Sequence, residues 1–106
     1  MSRLDQLNAF LADSPNDPFV HYAIAQEYRK MEELDNAHSK YIELVENYPN
    51  YVATYYHLGK LQIEMNKKEE AMKTFETGIE IAKEAKDQHS LAELQSARLE
   101  LLYDED

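Results

Sequence analysis

Two consecutive stretches of 34 residues decide the reading: PFVHYAIAQEYRKMEELDNAHSKYIELVENYPNY (residues 18–51) and VATYYHLGKLQIEMNKKEEAMKTFETGIEIAKEA (residues 52–85). Laid one over the other, they share four identities: Tyr22/Tyr56, Met31/Met65, Ala37/Ala71 and Glu46/Glu80. The count is small, but the positions that agree in character are those a pair of helices needs. Ile24-Ala25 meets Leu58-Gly59, Tyr41 meets Phe75, and Val45 meets Ile79. Small residues let two helices approach closely, and large ones fill the groove to the next helix.

Outward from these stretches, apolar residues recur at helical spacing through nearly the whole chain. Leu4, Leu7, Phe10 and Leu11 form one face of a short first helix. Ser2 caps it, with Asp5 three residues later as a carboxylate form of the capping box. Asp13-Ser14-Pro15-Asn16-Asp17 is a turn, and Asp17-Pro18 reads as an N-cap followed by Pro at the first helical position. Start and stop signals predict further helices over about 18–31, 34–47, 51–65, 68–86 and 88–103. The third stops before Tyr48-Pro49, since a residue preceding Pro avoids helical angles. Asn66 ends the fourth as a left-handed residue. Six helices joined by short turns imply antiparallel neighbours. With 2 Gly and 3 Pro the chain has too little punctuation for an all-β fold.

The pattern resembles the tetratricopeptide repeat, W-x2-L-G-x2-Y…A-x3-F…P with a period of 34. The first copy reads His21-x2-Ile24-Ala25-x2-Tyr28, then Ala37-x3-Tyr41, then Pro49. The second reads Tyr55-x2-Leu58-Gly59-x2-Gln62, then Ala71-x3-Phe75, with Lys83 in the place of Pro. His21 and Tyr55 stand where Trp is usual, and Gln62 replaces an aromatic. Leu44 fills a position usually small (Gly78 in the second copy), and Glu32 sits where Gly commonly closes the turn. The resemblance implies an all-α, right-handed antiparallel helix-hairpin solenoid in a single domain. A capping helix covers residues 1–17, repeats cover 18–51 and 52–85, and a C-terminal capping helix with an acidic tail covers 86–106. Leu4 to Pro15 resembles the second helix of a preceding repeat, and 88–103 the first helix of an incomplete following one. Such outer helices cap a stack.

The chain has 21 acidic and 11 basic residues, a formal net charge of −10, spread over both halves apart from the tail Asp104-Glu105-Asp106. A negative surface releases no counterions from phosphate, so nucleic acid and anionic membrane are not expected partners. With no Cys, disulfides, thiolate metal sites and a Cys nucleophile are excluded. Met1 to Asp5 lacks the apolar run of a signal peptide, and no stretch approaches the length of a membrane span. The expectation is a soluble, cytoplasmic protein. His21, His38, His57 and His89 fall in no H-x-x-x-H or H-E-x-x-H pair. Gly59 and Gly78 build no phosphate loop, and no Ser lies in a G-x-S-x-G elbow. The expectation is therefore no enzyme, no cofactor and no metal site.

There are 8 Tyr and no Trp. Tyr28 and Tyr41 take repeat-core positions. Tyr22 and Tyr56 occupy the same place on the first helix of successive repeats. In the resembling family that helix lines a concave groove and this position commonly points into it. The resemblance thus implies a pair of groove Tyr, with Gln26 and Lys60 one turn on, then Arg29, Lys30, Ile63 and Glu64, and Phe19 and Ala53 at the near edge. Tyr and Arg are frequent partner anchors. Lys60, Arg29 and Lys30 beside two aromatic rings suit a peptide or protein partner with an apolar anchor and acidic character. Some members grip the C-terminal carboxylate of heat-shock chaperones with a clamp of Lys, Asn, Asn, Lys and Arg across three repeats. Here Tyr22, Gln26 and His57 stand at the first three clamp positions, and a third full repeat is missing, so that ligand is not implied.

On the last helix Leu94 and Leu101 share a face, Leu91 and Leu102 widen it, and Leu99 points away. A helix packed on one side cannot bury all five, which leaves Leu99 and Leu102 as an end-docking surface. The function these features favour is a non-catalytic protein–protein interaction module working through its groove. The alternative is a structural, self-assembling subunit, a weak homo-oligomer joined through its terminal helices, since two repeats fall short of the three usually needed for stability. The 34-residue period makes Ala37 and Ala71 the tight points of the helix crossings. Ala71→Leu is expected to overpack the crossing at a cost of about 1–3 kcal/mol, seen as a lower midpoint in a chemical melt. An unchanged melt would mean the period is misplaced.

Overall fold

Chain direction reverses wherever the sequence offers Pro, Asn or a left-handed residue, and helix fills the intervals. The computed structural model describes residues 1–104 and contains, among them, six helices and no strand. They are α1 (Arg3–Asp13), α2 (Pro18–Lys30), α3 (Leu34–Asn47), α4 (Ala53–Glu64), α5 (Lys68–Ala85) and α6 (Gln88–Leu102). The expected spans of α2 to α6 hold to within two residues. The widest difference is at α4, which begins at Ala53 rather than Tyr51 because the turn opened by Pro49 takes in Tyr51 and Val52. Glu105 and Asp106, which complete the acidic tail, lie outside the described residues.

The helix ends follow local chemistry. Ser2 Oγ accepts from Asp5 N at 3.0 Å and the Asp5 carboxylate accepts from Ser2 N at 3.4 Å, closing the capping box. Asp17 accepts from Phe19 N at 3.0 Å ahead of Pro18. Asp87 caps α6, and the backbone N–H of Ser90 bonded to it is the main cause that lowers its pKa. Asn66 is left-handed, as expected, and so is Glu32 at the equivalent place, both at φ 62°. Each permits the same closing bond, Glu33 N to Tyr28 O at 2.9 Å and Lys67 N to Gln62 O at 2.8 Å. Lys86 repeats the device at φ 58°, with Asp87 N bonded to Ala82 O at 3.0 Å.

The residues that replace Trp share a second tie. His21 Nε2 donates to Pro15 O at 2.8 Å, and the Tyr55 hydroxyl donates to Pro49 O. Both Pro and both donors are 34 residues apart, so each tie fixes the turn that leads into the first helix of its repeat.

The helices group into two compact units, one from Met1 to Tyr48 and one from Pro49 onward. In the first, α2 packs against both α1 and α3. Leu7, Val20, Ala23 and Ile24 form a core, with Leu4, Leu11 and Tyr28 packed on it. Ala25, Ala37, Tyr41 and Leu44 are buried as well. Phe10 departs from the expected face. It is 60 % exposed, because α1 has α2 as its neighbour and the Phe10 side of the turn is not covered by it.

In the second unit α5 packs against α4 and α6, and α4 also touches α6. Its core includes Tyr55, Leu58, Leu61, Phe75, Ile79, Leu94 and Leu101. The closest approaches are at glycine. A Cβ on Gly59 would lie 2.2 Å from Phe75 Cε1, and one on Gly78 would lie 2.5 Å from Tyr55 Cβ. Gln62, at an aromatic position of the repeat, is buried and accepts from Thr74 Oγ1 at 2.6 Å, which satisfies it inside the core. His57 on α4 has its pKa lowered by burial, with Glu93 opposing the shift.

Two outcomes follow from this packing. Gly78→Ala should gain about 1 kcal/mol of helix propensity yet lower stability overall by about 1–2 kcal/mol, because Tyr55 Cβ cannot retreat without moving its backbone; urea melts measure the balance. An NMR titration should place the His57 midpoint below the ordinary 6.5. Above 6.5 both states hold the ring neutral. Below it the unfolded chain binds the proton first, so stability should fall as pH drops from about 7 to 5, and His57→Gln should remove part of that fall.

Candidate functional site

Each unit carries one of the first helices on which binding residues are expected. In the first unit, α2 places Phe19 and Tyr22 one turn apart, with ring centroids 6.5 Å from each other. The inner side of Tyr22 meets the buried ring of Tyr41 at 6.4 Å, which leaves Tyr22 half-buried, while Phe19 is 59 % exposed. The Tyr41 hydroxyl is held far above the ordinary tyrosine range, by burial first and then by Tyr22, with Arg29 opposing. Arg29 is therefore within electrostatic reach of Tyr41. Gln26 and Lys30 are exposed further along the helix.

In the second unit Tyr56 stands edge-on to His57 at 5.4 Å, and Lys60 Nζ lies 5.9 Å from the Tyr56 ring centroid, a cation–π distance. Tyr56 and Lys60 form one wall of an open cleft of about 380 Å3. The other wall is α6, with His89, Ala92, Glu93, Ser96, Ala97 and Glu100. Ile63 is half-buried and Glu64 exposed, and neither lines this cleft. Leu99 and Leu102 are 49 % and 52 % exposed.

The α6 wall is the part that sequence reasoning missed. Its signal was present: Ala92, Glu93, Ser96, Ala97 and Glu100 recur at helical spacing on the side away from the leucine stripe. Its effect on charge is direct. Lys60 shares the cleft with Glu93 and Glu100, so this cleft is of mixed sign and not the basic surface that Lys60 alone suggests. The arrangement offers an aromatic face, one cation, two carboxylates and several small residues, which suits non-covalent capture of a side chain and its flanking backbone. Among the described residues no group of three His, Asp or Glu is placed to hold a metal ion, and no helix is long and apolar enough to cross a membrane.

The family model described as anaphase-promoting complex subunit 5 matches residues 19–105. A tetratricopeptide repeat domain protein from Salinibacter ruber, solved in solution, has 46 % sequence identity and a TM-score of 0.79, covering 82 % of this chain and 88 % of that one. The crystal structure of a tetratricopeptide repeat domain protein from the same organism gives 45 % identity and a TM-score of 0.80, over 82 % of this chain and 98 % of that one. The TPR2B domain of yeast Sti1, in its complex with pHsp70, superposes with a TM-score of 0.84 at 17 % identity over 92 % and 78 % of the two chains, a likeness of fold alone. No curated protein matches the chain. The fold is one commonly used as a protein–protein interaction module. On the 34-residue period, the helix pairs and these likenesses, the chain belongs to the tetratricopeptide-repeat family.

Proposed function

We propose that the protein is a non-catalytic interaction module that holds a partner peptide against the first helices of its repeats. The observation that carries the reading is the cleft beside Tyr56, lined by an aromatic ring, the Lys60 ammonium, the carboxylates of Glu93 and Glu100, and the small side chains of Ala92 and Ala97. An apolar or aromatic anchor of the partner packs on Tyr56. Lys60 takes a partner carbonyl or carboxylate, and Glu93 and Glu100 take a basic side chain. On α2, Phe19 and Tyr22 offer a second aromatic edge, and Gln26, Arg29 and Lys30 favour acidic character in the stretch of partner that meets them. Ile63 and Glu64 serve at the margin of α4. Sti1's domain, in complex with pHsp70, supports the use of this fold for holding another protein. Tyr22, Gln26 and His57 stand at the first three positions of the clamp that some family members carry, so the anchor chemistry is this chain's own.

The test begins with affinity capture of the partner from the native cell, followed by mass spectrometry and titration of the identified segment. Tyr56→Ala should weaken binding by about 1–3 kcal/mol, and its melt should fall less than that of Tyr41→Ala, since Tyr41 is buried and Tyr56 is not. If Tyr22→Ala and Tyr56→Ala both leave affinity unchanged while substitutions at Leu99 or Leu102 abolish it, binding belongs to the end helix.

A further inference from the structure

The outer faces of α1 and α6 differ in kind. By the 34-residue period Arg3 takes the place of Ala37 and Ala71, and Gln6 that of Lys40 and Thr74. The two Ala are fully buried where paired helices meet. Arg3 and Gln6 thus make this side of α1 polar, and Phe10 is an exposed ring on the same helix. Along α6, by contrast, Gln95, Leu99 and Leu102 form an exposed row at i, i+4 and i+7.

Leu99 also lines an open cleft of about 630 Å3 between α5 and α6, floored by Ile79 and flanked by Glu76, Glu80, Lys83 and Arg98. The charges are paired, one pair across the cleft and one along α5. Arg98 Nε lies 3.5 Å from Glu76 Oε2, and Lys83 Nζ lies 3.8 Å from Glu80 Oε1. Two acids and two bases cancel, so on a chain of net charge −10 this face is formally neutral.

We propose that the α5–α6 face is where two copies of this chain meet, as a two-fold dimer with the α6 helices antiparallel and Leu99 next to the axis. An acidic molecule repels its own copy wherever the acidic excess faces outward, and least where charge cancels. A two-fold interface opposes a patch to itself. Equal numbers of acids and bases make that patch self-complementary, and Arg98 can exchange Glu76 for the partner's. A strongly charged partner of another kind finds no net charge here to steer by. Leu99 is the middle of the exposed row, so in an antiparallel pair it faces its own copy. The dimer is weak, because its ion pairs are half-exposed, and added salt strengthens it by screening the acidic repulsion.

The experiment uses the full chain in sedimentation equilibrium over a wide concentration range at low and high salt. The mass should rise from 12.4 kDa toward twice that value, more readily at high salt. Leu99→Glu should raise the dissociation constant by at least about tenfold with an unchanged circular dichroism spectrum, and Tyr56→Ala should leave the dimer intact. Because the chain has no Cys, Leu99→Cys provides a single thiol near the axis. It should oxidise to a disulfide-linked dimer at least about tenfold faster than Glu46→Cys, an exposed control in the first unit. A monomer at every concentration, a dimer indifferent to Leu99→Glu, or equal cross-linking of the two thiols would each overturn the proposal.

Discussion

The structure depends on places where two helices come together with no room for a side chain between them. At Gly59 the missing Cβ is what admits the ring of Phe75, and at Gly78 it is what admits the backbone side of Tyr55. Phe75 is fully buried, so it has no alternative position. Ala37 and Ala71 set the approach on the opposing helices, both without exposed surface. A glycine in a helix interior costs about 1 kcal/mol relative to alanine. Here that cost is offset by burying a ring or a Leu in the space gained, since each fully buried large side chain contributes about 1.5–3 kcal/mol. Once these crossings are fixed, so are the faces that remain outside: the α4–α6 cleft on one side of the second unit and the α5–α6 cleft on another.

The turns show that a repeat conserves geometry more than residue type. Family pattern puts Gly at the turn and Trp ahead of it. This chain uses Glu32 and Asn66 at one place and His21 and Tyr55 at the other. The left-handed angle is kept at φ 62° in both turns, and the same closing bond forms. A left-handed L-residue costs roughly 1–2 kcal/mol, least for Asn, and Glu32 is held there by the bond from Glu33 N to Tyr28 O. At the Trp position this chain places, in both repeats, a donor that reaches the carbonyl of the preceding Pro. An imidazole and a phenol both reach it.

These substitutions explain what was legible in the sequence and what was not. Helix limits were local: Pro18, Pro49, Asn66 and the Ser2 cap each act within a few residues, and the helices end where they dictate. Tyr56 and Lys60 were legible as neighbours because i and i+4 on one helix share a face. Phe10 was not, since its exposure depends on which helices flank α1 and not on its own spacing. Gln62 looked like a defect in the pattern, and its partner Thr74 lies on another helix. The α6 wall was lost for a related reason. α5 has 18 residues where α3 has 14, so the 34-residue period no longer applies to α6. Carried on mechanically, it would set Leu94 and Leu101 against Lys60 and Lys67, and the side of α6 facing α4 could not be read from it.

Charge completes the division of labour among the faces. A net charge of −10 discourages unspecific association over a Debye length of about 8 Å at physiological salt. In the α4–α6 and α5–α6 clefts the charges are mixed: Lys60 against Glu93 and Glu100 in the first, Glu76 and Glu80 against Lys83 and Arg98 in the second. Discrimination at such sites comes from the placement of each sign beside an apolar surface, because a ligand with the wrong order of charges meets like charge at close range. The acidic exterior and the mixed clefts are therefore complementary. The first suppresses contacts in general, and in the second a contact of defined geometry is not opposed.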